Sequence, residues 1–185
     1  MGMTSKFVHI IHGIHTSEGK KSTPATLVPL LEQAGHACYP HDYGYVFAIT
    51  ARFINQGIAD RIAPKIADGD IIIAHSNGCD IVRRMLKKGI KPEGVILLQP
   101  ALDKDTEFPE GDYWIKVFHN DDDKIVWWSK WLPFRHPWGE MGKVGYVGDD
   151  PRVTNFDTLK LCKAGEHNEH IRENQCVRQT IVGAV

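Results

Sequence analysis

The chain has 185 residues, 42% of them hydrophobic, which suits one domain with a buried core and excludes a disordered tail protein. Lys and Arg total 22 against 23 Asp and Glu, and the formal net charge of -1 leaves no global field to draw in nucleic acid or an anionic membrane. No window approaches the ~18 consecutive apolar residues of a membrane-spanning helix, and the partner expected is a small molecule.

Met1 to Lys6 carries no apolar stretch with a small-residue cleavage site, so the mature chain is expected to begin near Met1. Lys6 stands where an N-myristoylation motif needs Ser or Thr. Phe7 to Ile11 is a short apolar run ending in His12-Gly13, a buried strand stopped by a turn residue. Thr23-Pro24 opens a helix whose stripe is Leu27, Leu30 and Leu31 and whose stop is Gly35. His36 to Tyr39 is a weaker strand. Isoleucines at 54, 58, 62 and 66 predict a helix within Phe47 to Ala67, kinked by Pro64.

Asp70 to Ala74 reads as a strand, Asn77 to Lys88 as a helix stopped by Gly89, and Gly94 to Leu98 and Trp114 to Phe118 as two further strands. Leu159 to Cys162 is a candidate for the last strand, and the tail from Asn168 for a closing helix. Short apolar strands alternating with helices predict a mostly parallel sheet in a three-layer α/β/α sandwich. No repeat or linker divides the chain, so a single domain over residues 1–185 is expected. Chemistry in such sheets sits in the turns beyond the carboxyl ends of the strands.

Ala74-His75-Ser76-Asn77-Gly78 places a serine between a β-branched strand and an amphipathic helix, with small residues two before and two after it. A strained strand-to-helix turn needs such flanks, and it lifts the serine above the sheet. The Asn77 N–H opens the helix and points toward charge developing on a substrate oxygen. A bland alternative is a serine that caps the helix.

These residues resemble the nucleophile elbow of the alpha/beta-hydrolase superfamily, G-x-S-x-G, with Ala74 in place of the first glycine. The resemblance runs from Phe7 to the C-terminus and implies a minimal alpha/beta-hydrolase fold, without the two leading strands and without a large cap domain, similar to small lidless esterases and lipases. It implies Ser76 as nucleophile, then an acid, then a histidine, in that chain order. His119-Asn120-Asp121-Asp122-Asp123-Lys124-Ile125-Val126 is similar to the family's H-G-x-x-D-x-x-V, which makes Asp123 the acid, with Asp122, Asp121 or Asp103 as alternatives. Gly165-Glu166-His167 resembles the family's histidine loop and makes His167 the base. His12-Gly13-Ile14 resembles its His-Gly-x motif, so the Ile14 and Asn77 N–H groups would form the oxyanion hole.

Trp127, Trp128 and Trp131 sit at helical spacing just after the acid, as core packing or as an apolar substrate lip. The expected function is a serine hydrolase acting on a carboxylic ester or thioester. Its competitors are a binding protein of the same fold with idle chemistry and a metal-dependent hydrolase. His9, His12 and His15 do not share one strand face, so no metal site is expected, and no cofactor is implied. The four cysteines, Cys38, Cys79, Cys162 and Cys176, form no C-x-x-C pair and read as reduced thiols of a cytoplasmic protein, with a disulfide left open.

Overall fold

The computed structural model describes residues 6–14, 16, 18–47, 50–121, 139–163 and 169–185. Six strands form one sheet: β1 (Phe7–Ile11), β2 (Ala37–Pro40), β3 (Ile71–His75), β4 (Gly94–Leu98), β5 (Trp114–His119) and β6 (Val153–Asp157). Their order is β2-β1-β3-β4-β5-β6, and every pair is parallel. The helices are α1 (Val28–Gln33), α2 (Ala51–Ile62), α3 (Gly78–Lys87), α4 (Met141–Val144), α5 (Thr158–Cys162), α6 (Glu169–Glu173) and α7 (Gln175–Gly183).

Side chains alternate across a strand, so each central strand must supply two cores. Ile72 and Ala74 of β3 join Val95, Leu97, Ile58, Ile62, Ile81 and Met85 on the face covered by α2 and α3. Ile71 and Ile73 join Val8, Ile10, Ile96, Leu31, Val177 and Ile181 on the opposite face, under α1, α6 and α7. Burial on both faces is why these strands read as unbroken apolar runs, and it yields the three layers expected. Pro64 acts as predicted: α2 stops at Ile62 and the chain tightens into a 3₁₀ turn over Ala63–Lys65. The isoleucine stripe holds from Ile58 onward, whereas Ile54 is 37% exposed.

Two expectations are corrected. Leu159 to Cys162 is helix α5, not a strand, because the Asp157 carboxylate accepts the Lys160 N–H at 3.1 Å and caps a helical turn. The last strand is the preceding Val153–Asp157, an edge strand only partly buried, so its apolar pattern is weak. The four cysteines are not all reduced: Cys162 and Cys176 form a disulfide, while Cys38 and Cys79 are free. A bond closing a loop of this length stabilises a fold by about 3 kcal/mol. Among the described residues no helix is long and apolar enough to cross a membrane.

Candidate active site

The carboxyl end of β3 delivers the serine. Three isoleucines hold β3 between β1 and β4, and the Ser76 N–H donates to the Leu98 carbonyl at 3.0 Å. The chain then breaks direction. Ser76 takes φ 53°, a left-handed conformation that costs a non-glycine residue about 1–2 kcal/mol, and Asn77 at φ -59° already has helical backbone.

Two glycines let the loop after β1 close against this turn. A Cβ on Gly78 would lie 2.4 Å from the His12 carbonyl oxygen and 2.8 Å from that of Ile11. A Cβ on Gly13 would lie 3.0 Å from the Ser76 Cβ and 3.3 Å from the His75 carbonyl oxygen. The main chain leading to Ile14 therefore runs beside the serine, and the first turn of α3 begins on its other side.

Neither a protein-family model nor a curated protein sequence matches the chain. Solved structures do. A hydrolase from Oleispira antarctica superposes with a TM-score of 0.65 at 10% identity, covering 99% of this chain and 92% of its own. The monoacylglycerol lipase of Paleococcus ferrophilus gives 0.61 at 14% identity, covering 96% and 93%. An extracellular alpha/beta-hydrolase from a Paenibacillus species gives 0.60 at 12% identity, covering 97% and 98%. The fold is that of the alpha/beta-hydrolases. No large cap is added to it among the described residues.

The turn at Ser76 rests on a buried polar network that sequence spacing does not reveal. Asn55 of α2 donates to Asn77 Oδ1 at 2.9 Å and to Asp80 Oδ2 at 2.9 Å, and Asn77 Nδ2 donates back to Asn55 Oδ1 at 3.1 Å. All three residues are 0% exposed. Burial opposes ionisation of Asp80, but hydrogen bonds from Asn55, Arg84 and Arg83 outweigh it and hold the carboxyl below its ordinary range. The charge belongs there, in the first turn of α3, where the helix dipole favours an anion.

Tyr43 is a second residue that patterning misses. Its ring stacks on His12 with centroids 3.8 Å apart and planes 10° apart, and its hydroxyl donates to the His12 carbonyl. Burial pushes the Tyr43 hydroxyl well above its usual range and lowers His12, so both are uncharged at neutral pH. Gln99, just beyond β4, is a third. It has φ 43°, is 0% exposed, and neither polar atom of its amide has a partner among the described residues. Strain combined with an unsatisfied buried amide is the kind of cost that sites carry, and neither half of it has a sequence signal.

The acid candidates are only partly described. β5 ends at His119, Asn120 is buried with its N–H on the Gly142 carbonyl at 2.9 Å, and Asp121 follows as an exposed residue. Asp103 is exposed in a turn whose carbonyl takes the Thr106 N–H at 3.0 Å and hydroxyl at 2.6 Å. Asp122, Asp123, His167, Trp127, Trp128 and Trp131 lie outside the described residues. Among the described residues no three His, Cys, Asp or Glu side chains converge as a metal site.

Proposed function

We propose that the chain is a serine hydrolase that cleaves a carboxylic ester or thioester through an acyl-enzyme on Ser76. The observation that carries this is the left-handed Ser76 at a strand-to-helix turn, with Gly13 packed against it and the N-terminus of α3 beside it. The hydrolases among the structural neighbours support the reaction class, and the choice of ester rests on that likeness.

In this reading His167 takes the Ser76 proton as Oγ attacks the carbonyl carbon, and Asp123 holds the imidazole in its working tautomer. The Ile14 and Asn77 N–H groups receive the oxyanion, each contributing roughly 3 kcal/mol of transition-state stabilisation. His167 then gives the proton to the departing alcohol or thiol. Water, activated by the same base, releases the acid and restores Ser76. Trp127, Trp128 and Trp131 supply an apolar lip for the acyl group.

Intact mass after incubation with a fluorophosphonate tests the proposal. One adduct is expected on the wild type and none on a folded Ser76→Ala variant. Labelling that persists in Ser76→Ala removes Ser76 from the mechanism, and a folded wild type that takes no adduct is a binding protein of this fold.

A further inference from the structure

The carboxyl edge of β2 holds a second cluster of titratable side chains that hydrolysis at Ser76 does not use. Asp70 Oδ2 lies 2.9 Å from His9 Nε2, and His9 Nδ1 lies 2.9 Å from His41 Nε2. Both imidazoles are 2% exposed. A carboxylate only accepts, so His9 donates to Asp70 from Nε2. A neutral His9 then has a bare Nδ1, which obliges His41 to donate from its own Nε2. Nδ1 of His41 is left as a lone-pair acceptor.

The ring is fixed in that role. It stacks on His9 with centroids 5.1 Å apart and meets the Tyr39 ring edge-on at 4.8 Å. Burial lowers His9 despite the pull of Asp70, and it pushes His41 down to about 3, with His9, Lys65 and His12 adding repulsion. Nδ1 of His41 has no partner among the described residues and is not sealed in the core. His41 lines a cavity of about 530 Å³ together with Tyr43, whose hydroxyl donates to the His12 carbonyl.

Three cations also line this cavity: Lys20, Arg61 from the last turn of α2, and Lys65 from the 3₁₀ turn that follows. None of the three has an ion-pair partner among the described residues; two carboxylates, Glu18 and Asp42, line the cavity as well, but these and the nearby Asp60 have partners of their own. Glu18 pairs with Lys21 at 3.0 Å, Asp60 pairs with Lys88 at 2.7 Å, and Asp42 accepts the Gly44 N–H at 3.2 Å. Arg61 in the last turn of α2 and Lys65 in the 3₁₀ turn after it are like charges on one rim of the cavity, which a bound anion would neutralise.

We propose that this cavity binds a hydrogen phosphate group, free or as the end of a small phosphate monoester, with Lys20, Arg61 and Lys65 neutralising it and its P–O–H donating to Nδ1 of His41. Sulfate is the discriminating comparison, because it matches phosphate in size and tetrahedral shape and carries at least as much negative charge, but has no proton to donate. The proposal is independent of the chemistry at Ser76.

Titration calorimetry at pH 6.5 with inorganic phosphate, glycerol phosphate and sulfate tests it. Saturable phosphate binding is expected, with sulfate at least tenfold weaker and phosphate at least tenfold weaker in Arg61→Ala/Lys65→Ala, whose substituted side chains are exposed. Tighter binding of glycerol phosphate than of inorganic phosphate identifies a monoester as the ligand, and the reverse order identifies the free ion. Equal binding of sulfate and phosphate, or no saturable phosphate binding, overturns the proposal. Long-range ¹H–¹⁵N NMR of the wild type reads the tautomer directly: Nε2 of His41 must carry the proton, and a bare Nε2 also overturns it.

Discussion

The Ser76 elbow and the β2 edge both lie at the carboxyl end of the sheet, yet they are built on opposite principles. At the elbow the described main chain is sealed: Gly13 and Gly78 leave no room for a side chain, and Asn55, Asn77 and Asp80 satisfy one another at 0% exposure. At the β2 edge the buried His41 lines a cavity flanked by exposed cations that have no ion-pair partner among the described residues. The first region is a close-packed frame around Ser76, as the proposed chemistry would need. The second keeps polar capacity in reserve, as a site that awaits a ligand does.

The sharpest way to break the contrast is to add one methyl group to the elbow. Gly78→Ala drives a Cβ to 2.4 Å from backbone that cannot yield without moving β1. A loss of about 3 kcal/mol is expected, at the upper end for overpacking, read as a fall in the urea midpoint. Fluorophosphonate labelling should slow at least tenfold in whatever protein remains folded. Near-wild-type stability together with unchanged labelling would show that the β1 loop is not held against Ser76 in solution.

Asn55→Leu probes the frame without touching the turn. It leaves the Asn77 amide and one Asp80 oxygen short of a buried partner, at a cost of about 2 kcal/mol. If the network fixes the start of α3, kcat for an ester substrate falls while KM changes little. Asn55→Asp is a worse replacement, since it sets a second carboxylate beside Asp80. Equal loss in kcat and rise in KM would make the network structural scaffolding only.

How far each region could be read from sequence follows from the range of the contacts that make it. Residues 74–78 are contiguous, and the need for small side chains around a strained turn is local chemistry, so Ser76 stands out and the parallel sheet follows from its buried runs. Asn55 is twenty-two positions from its partner Asn77, and Asp70 is sixty-one from His9. No periodicity links such pairs, because the fold alone brings them together. β6 was hidden for a different reason. An edge strand with one half-exposed row has no apolar run, and the neighbouring Leu159 and Leu161, which alternate as a strand would, belong to a helix capped by Asp157.

Acid should separate the buried histidines from the Asp80 carboxylate with a smaller, graded effect. The folded imidazoles of His9, His12 and His41 all resist protonation, chiefly through burial, and His41 does so down to about 3. An unfolded histidine takes its proton near pH 6.5. Below that pH the unfolded chain binds more protons than the folded one, so stability falls as pH falls. His41 alone contributes a slope of about 1.4 kcal/mol per pH unit within the window from 6.5 to about 3. Asp80 at the elbow has its carboxyl held below the ordinary range, so its contribution is intact above about pH 4 and is lost only as pH falls through the lowered folded value. Urea midpoints between pH 7 and pH 5 therefore report the buried histidines, His9 and His41 at the β2 edge and His12 in the loop after β1, and not Asp80. His41→Gln should flatten that slope whatever it does to the midpoint at pH 7, whereas an unchanged slope would mean that His41 titrates as a solvated residue and that the Asp70 to His41 chain is not buried in solution.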